Sequence, residues 1–384
     1  MNAPEHIPSF DIIIIGAGCA GLQLLYQFSQ RKDWSGLKVL LVDDGAAKQR
    51  SWCFWSSEQH PLQHLVTKTW HQLSFSSAAF SKTQTIGPYG YHYIPGDVFF
   101  EYFSREFIPA HHNITQVSGR VNQIQPNNGS YLIKTDDYVA WGKTCFSSIP
   151  ANKGQADELK QHFKGWYIEA DHEVFDTSTA SLMDYSVQLY QDVHFIYVLP
   201  FSKTHALIEA TFFSSKIAED EVYDELISNY MQYTYAGVNF VVTSAEKGCI
   251  PMSRQTFKRF GQAGEVLIGQ AAGMVKASTG YTFNRITQDS IWLARNLNIS
   301  LPNAQTGTGG RFRFYDRLLL NIIRKKPQLV AGIFTRLFRY NSSARVLRFL
   351  DERTKPIHEF AIFWSLPWLP FIKETIKYII DNDG

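Results

Sequence analysis

One local pattern restricts the fold of this chain more than any other: a glycine-rich turn set between a buried strand and a helix. Residues 10–15 form a short β-branched run, apolar apart from Asp11, as expected of a strand covered on both faces of a parallel sheet. The run leads into Gly16-Ala17-Gly18-Cys19-Ala20-Gly21, after which Leu22, Leu25, Tyr26 and Phe28 recur at helical spacing to about Gln30. Residues 38–42 read as a second buried strand, followed by Asp43. Strand, Gly-x-Gly-x-x-Gly, helix, strand and terminal acid together specify a βαβ dinucleotide-binding unit. Gly16 permits the tight turn, Gly18 lets backbone approach a pyrophosphate, and Gly21 lets the helix lie close on the strand. The helix N-terminus offers N–H groups to phosphate. Asp43 is placed to accept a ribose hydroxyl, with Asp44 as the alternative should the strand end one residue later. FAD, held by the chain's first fold unit, is the dinucleotide expected.

The rest of the chain alternates short strands with turns. Residues 96–107 read as a helix, and residues 121–124 and 131–134 as a hairpin around Pro126-Asn127-Asn128-Gly129. Residues 194–201 and 205–213 are extended runs joined by Ser202-Lys203-Thr204, which predicts a hairpin in a mostly antiparallel sheet. Residues 266–268 form another strand, entering a glycine- and alanine-rich turn between Gly269 and Gly273. Gln305 to Gly310 has a linker's composition, and the remainder is helical in pattern and basic. With 45% hydrophobic and 19% charged residues, disorder is excluded for most of the chain. The four cysteines never fall at CxxC spacing, so neither a zinc site nor a disulfide framework is legible, and a reducing cytoplasm is expected. Residues 1–10 hold no Lys or Arg, which argues against a signal peptide.

Four further segments carry a resemblance to a family. They are Trp52-Cys53-Phe54-Trp55; Gln161-His162-Phe163-Lys164-Gly165-Trp166 with Leu182-Met183-Asp184 downstream; Tyr197-Val198-Leu199-Pro200-Phe201-Ser202 leading into Leu207-Ile208-Glu209-Ala210-Thr211; and Gly273-Met274-Val275-Lys276 before Ser278-Thr279-Gly280-Tyr281. In order and spacing they resemble the flavoprotein-type bacterial lycopene cyclases, from about Phe10 to Arg295. The resemblance implies an α/β (α+β) fold related to p-hydroxybenzoate hydroxylase: a Rossmann-like FAD-binding domain (residues 1–60, 111–155 and 250–303) interleaved with an antiparallel-sheet substrate domain (61–110 and 156–249), then a helical, basic, membrane-associating segment (304–384). It implies FAD active in its reduced form, NADPH as reductant, and a non-redox isomerisation in which a proton is added to the terminal double bond of lycopene and a β-ionone ring closes. Gly269 and Gly273 match the second flavin-binding segment. There Gln270 stands where flavoprotein hydroxylases carry an Asp, which departs from a hydroxylase and agrees with the cyclases. A hydroxylase or prenyl-chain reductase of the same fold is the competing enzyme class, and a non-catalytic carotenoid-binding flavoprotein the competing binding class.

The acid of the third segment can also be read from the residues themselves. Along a strand Leu207, Glu209, Thr211 and Phe213 share one face, which sets a single carboxyl in an apolar stripe. Burial there raises its pKa and holds a proton ready for an alkene. Glu209 matches the family's leading acid, the catalytic one, while Ala210 stands where members often have a second, a departure that removes the adjacent carboxylate at that spot. Asp184 and Asp176 are weaker candidates that serve equally as turn or cap residues. A carbocation is stabilised by aromatic faces, and Trp52, Phe54, Trp55 and Trp166 are candidates to line its site; core packing accounts for each equally well.

Between Arg311 and Lys355 twelve basic residues face three acidic ones, a local charge of +9 against a chain total of +2. Such asymmetry points to an anionic partner. Residues 329–338 carry apolar side chains (Leu329, Val330, Ile333, Phe334, Leu337 and Phe338) at helical period, and residues 363–371 form an aromatic, proline-broken stretch typical of an interfacial anchor. No apolar run reaches the roughly 18 residues of a spanning helix. The expectation is a peripheral protein on the cytoplasmic face of a membrane, with no transmembrane helix, taking a linear carotenoid from lipid, with no nucleic acid and no obligate protein partner. A helical cap packed on the protein's own core is the competing account of the tail.

Overall fold

The computed structural model describes residues 7–46, 50–150, 158–297 and 310–382. The linker composition from Gln305 to Gly309 lies outside them. In chain order the strands are β1 (Ser9–Ile15), β2 (Val39–Asp43), β3 (Trp52–Ser56), β4 (Lys68–Trp70), β5 (Gln72–Ser77), β6 (Phe80–Thr85), β7 (Gly90–Ile94), β8 (Ile114–Ser118), β9 (Gln123–Asn127), β10 (Ser130–Lys134), β11 (Val139–Ser147), β12 (Lys160–Ala170), β13 (Thr179–Tyr185), β14 (Val193–Pro200), β15 (His205–Ser214), β16 (Phe240–Pro251) and β17 (Val266–Leu267). The α-helices are α1 (Cys19–Ser29), α2 (Gly96–Glu101), α3 (Asp220–Thr234), α4 (Phe283–Arg295), α5 (Gly310–Lys325), α6 (Val330–Tyr340), α7 (Ser343–Leu350), α8 (Pro356–Ser365) and α9 (Trp368–Asn382). The helix expected at 96–107 is α2 continued by a π-helical turn, Tyr102–Phe107.

The first sheet runs β8-β2-β1-β11-β10-β9 with β17 beside β11. Its central strands are parallel, and the expected hairpin of β9 and β10 adds its antiparallel edge. Ile12 and Ile14 of β1 pack toward Leu22, Leu25 and Phe28 of α1 and Phe283 and Ile286 of α4, whereas Ile13 and Ile15 face the cluster holding Ile133 and Ala140. The run at 12–15 is therefore apolar on both parities because both faces are covered.

The second sheet runs β16-β12-β15-β14-β13-β5-β6, and all its pairs are antiparallel except β13 with β5. One face packs on α3 through Ile168, Ile196, Ile208 and Phe212 against Tyr223, Leu226, Ile227 and Tyr230. The other face carries Phe195, Leu199, Leu207 and Phe213 and is roofed by α5–α8. A short sheet, β3-β7-β4, bridges the two larger ones.

The roof corrects one expectation about the tail. Val330, Ile333, Phe334, Leu337 and Phe338 are buried inward in the second core, with Phe338 stacked on Phe75 at 4.7 Å. Buried apolar side chains contribute roughly 1.5–3 kcal/mol each relative to exposure, so this stripe binds α6 to its own sheet and leaves none of it for lipid. Much of the tail's positive charge is likewise engaged at home: Arg311 pairs with Glu359 (3.1 Å), Lys325 with Glu374 (3.0 Å), and Arg336 donates to the Ser365 carbonyl (2.8 Å).

Candidate active site

A continuous cavity of about 580 Å³ runs from the glycine turn of the first sheet to the inner face of the second. At one end lie Gly18, Cys19, Ala20, Arg50, Ser51, Gly269 and Gln270. The three glycines of the turn differ as their tasks require. A Cβ on Gly16, whose φ is +98°, would meet Ser148 Oγ at 2.0 Å; one on Gly21 would meet the Gly16 carbonyl oxygen at 1.9 Å; one on Gly18 would meet nothing within 4 Å. Gly18 thus borders open space at the start of α1, whose first N–H groups have no side-chain cap. Asp43 closes β2, its Oδ2 accepting from Ala17 N at 2.6 Å and its Oδ1 from Gly45 N at 3.0 Å; Asp44 lies beyond the strand. Gly269 (φ +60°) presses on Ala20 of α1, and Gly273 (φ +74°) ends the 3₁₀ turn against Phe257. Gln161 Oε1 and Thr279 Oγ1 are buried, lack a hydrogen-bond partner and both line the cavity. Such orphaned polar groups call for a ligand. Glycine cradle, helix N-terminus and unpaired polar atoms fit a dinucleotide.

At the other end stands Glu209. Register places it beside Tyr197 on β14 and Gly165 on β12, so all three share the inner face. Its Oε1 accepts from Thr211 Oγ1 at 2.8 Å. Burial, reinforced by the negative charge of Glu246, pushes its carboxyl up to about 8. Sequence reasoning missed Glu246. It lies on β16 opposite the same Gly165, lines the same cavity, and accepts from Tyr167 Oη at 3.0 Å. Tyr167 Oη in turn lies 2.9 Å from Tyr93 Oη, which donates to Ser51 Oγ at 3.1 Å. Tyr91 is hydrogen-bonded to Tyr197 and, at 2.7 Å, to Tyr281.

Of the four aromatics proposed to line a cation site, the structure keeps only Trp52 on the cavity. Phe54 is core, stacked on Phe283 at 4.9 Å, and Trp55 packs edge-on against Tyr281 at 4.6 Å. Trp166 lies on the opposite face, where its Nε1 donates to Asp224 (3.0 Å), because its register partner is Ile208 rather than Glu209. The aromatic wall comes instead from Tyr91, Tyr93, Phe163, Phe195, Tyr197 and Tyr281. The expected hairpin across Ser202-Lys203-Thr204 was the signal that could have found Tyr197, which that turn sets opposite Glu209. The two weaker acids are structural: Asp184 accepts from Tyr230 Oη (3.1 Å) and Ser186 N (2.9 Å), and exposed Asp176 caps Ser178 and Thr179. All four cysteines are free, and among the described residues no cluster of three His, Cys, Asp or Glu could hold a metal.

A glycine-turn sheet and an antiparallel sheet sharing one cavity define the two-sheet flavoprotein fold. The chain is similar to a geranylgeranyl bacteriochlorophyll reductase-like protein from Thermoplasma acidophilum (TM-score 0.61, 10% identity, 97% of this chain and 100% of that one). It is also similar to a flavoprotein/dehydrogenase from Cytophaga hutchinsonii (0.57, 13%, 98% and 100%) and to a flavin-dependent brominase (0.53, 13%, 98% and 100%). No match was found among curated proteins. The family model described as lycopene cyclase protein matches residues 11–375, and the chain belongs to that family.

Proposed function

We propose that this protein is a lycopene β-cyclase that binds FAD and closes β-ionone rings on linear ψ-end groups of lycopene by acid catalysis. The observation that carries the reading is the place of Glu209: its carboxyl lines an apolar, aromatic cavity that also reaches the dinucleotide cradle, and burial there pushes it up to about 8. Glu209 gives its proton to the terminal double bond, and the tertiary cation is captured by the neighbouring double bond. The faces of Tyr91, Tyr197 and Phe195 favour positive charge by their quadrupoles. The apolar lining excludes water, which would otherwise trap the cation. Gly16, Gly18, Gly21, Asp43, Gly269 and Gly273 would hold FAD, which when bound and kept reduced, with NADPH as the reductant, would supply negative charge that stabilises a cation. Incubation of protein, FAD, reductant and lycopene, followed by product chromatography, tests the reading. A cyclic isomer formed without stoichiometric NAD(P)H consumption supports it, whereas consumption at each turnover assigns the chain to a reductase or hydroxylase.

The cradle yields its own prediction. Because Gly18 has open space around it, Gly18→Val folds but fills the pyrophosphate approach. The expected result is flavin absorbance lost from the purified protein, with a melting profile that matches flavin-free wild type because the loaded form is stabilised by its ligand; undiminished FAD binding rules the site out.

Peripheral association with membrane belongs to the same proposal. Ile357, Phe360 and Trp364 on α8 and Trp368, Leu369, Ile372 and Ile376 on α9 are exposed at helical spacing, with Leu369 72% exposed. A contiguous apolar face of this kind marks an interaction surface. Phe363, Leu366 and Phe371 of the same segment line the cavity, so the exposed face and the site meet there. No helix among the described residues is long and apolar enough to cross a membrane. Phe360→Ser/Trp364→Ser/Trp368→Ser removes side chains each worth roughly 1.5–3 kcal/mol when buried. Its flotation with lipid vesicles should fall more than about tenfold, and equal flotation would make α8 and α9 a roof alone.

A further inference from the structure

A net isomerisation needs a base as well as an acid, since the cyclised cation must lose a proton and the acid must regain one. We propose that Glu246 is that base, and that Glu209 and Glu246 form a two-carboxylate pair acting from neighbouring positions on one sheet face; the proposal rests on the cyclase reading above. Glu209, Gly165 and Glu246 are aligned across β15, β12 and β16. Two strand spacings place the outer Cα atoms about 10 Å apart, and the residue between them has no side chain. A Cβ on Gly165 would meet Leu207 Cδ1 at 2.7 Å and Glu209 Cβ at 3.3 Å, so any larger residue would press on the acid. The glycine thus lets Leu207 and the Glu209 side chain lie close over β12 and puts no side chain of its own between the two acids, both of which line the cavity.

The chemistry balances within this pair. Glu209 O–H protonates the terminal alkene carbon and becomes a carboxylate; the neighbouring π bond forms the ring C–C bond; Glu246 carboxylate takes a proton from the carbon beside the new cation, and that C–H pair becomes the ring double bond. The proton then returns from Glu246 to Glu209, and no electrons are gained or lost. Burial raises the Glu246 carboxyl, which suits a group that must hold a proton for part of the cycle. Tyr167, donating to it, works in the opposite sense and favours its charged form, and the charge of Glu246 in turn favours the protonated form of Glu209. Of the other titratable groups lining the cavity, Tyr91 and Tyr93 of β7, Cys53 of β3, Tyr197 of β14 and Tyr281 are raised by burial and stay neutral; the charged ones are Arg50 at the flavin end, Lys247 of β16, which pairs with Asp220, and Lys276, which pairs with Asp316.

The experiment compares the full-length wild type, Glu246→Gln, Glu246→Asp and Tyr167→Phe, with FAD content and melting as fold checks. Turnover on lycopene is measured against pH. Glu246→Gln is expected to lose ~10²- to 10⁴-fold and, with the neighbouring charge gone, to move the alkaline limb to lower pH. Glu246→Asp should retain part of the rate, and Tyr167→Phe should move the acidic limb upward. Independently of turnover, the infrared carbonyl band of protonated Glu209, identified by its loss in Glu209→Gln, should titrate at lower pH in Glu246→Gln. Wild-type turnover and an unmoved limb in Glu246→Gln overturn the proposal, as does an unmoved Glu209 band. A wild type that converts no linear carotenoid while the band still shifts refutes the cyclase reading and leaves the coupling of the pair standing.

Discussion

Glu209→Gln should abolish most cyclisation while leaving flavin binding and fold intact. Glutamine keeps the size of the side chain and can still accept from Thr211 Oγ1, but it carries no transferable proton. A positioned general acid contributes ~10²- to 10⁴-fold, and an unactivated alkene places the loss toward the upper end. The pH dependence has a definite sign. A carboxyl at about 8 is loaded below that pH, so turnover in the wild type should fall as pH rises through about 8. Stability follows the same linkage. The folded-state pKa lies above the unfolded value, so the stability of the protonated, buried form is full below the unfolded pKa and is lost as pH rises through about 8. Glu209→Gln should therefore melt higher than wild type in alkaline buffer. Asp184→Asn and Asp176→Asn are matched controls, because one carboxylate is engaged by Tyr230 and the other caps a turn. Near-normal turnover in Glu209→Gln, with either control inactive, would place the acid elsewhere.

What the sequence disclosed and what it hid divide along the range of the interactions. The glycine turn between β1 and α1 was readable because Gly16, Gly18 and Gly21 meet their constraints within a few residues of chain. Glu209 was readable because alternation along a single strand fixes which neighbours share its face. Glu246 was not, since its value depends on β16 pairing with β12 in a register that aligns it with Gly165, a contact spanning about eighty residues of sequence. Trp166 was misplaced for the same reason: its partner Ile208 decides its face, and no local pattern names that partner. In the tail, the period of residues 329–338 showed an apolar face but not what covers it. The structure turns that face inward and leaves the outer one to Phe360, Trp364 and Trp368.

Docking of the tail also rests on one buried ionic cluster, and its disruption is the largest stability effect expected. Lys276, in the loop after the 3₁₀ turn that Gly273 ends, lies 2.8 Å from both carboxylate oxygens of Asp316 on α5 and 3.1 Å from Glu352, which also pairs with Arg285 at 2.7 Å. Lys276 and Asp316 are both buried. Removing one member of such a pair strands the other charge and costs about 3–5 kcal/mol. Glu352 remains beside Lys276, so Asp316→Ala should fall at the lower end, and Asp316→Asn, which keeps an acceptor, should cost less. The double variant Lys276→Met/Asp316→Leu replaces the pair by apolar groups and should recover much of the loss, since burying two ions forfeits hydration that hydrocarbon never had. Denaturant midpoints for the two single variants and the double close the cycle. If Asp316→Ala unfolds within about 0.5 kcal/mol of wild type, as a surface substitution would, the ion cluster contributes nothing to holding α5 down, and the apolar stripe of α6 alone keeps the cavity roofed.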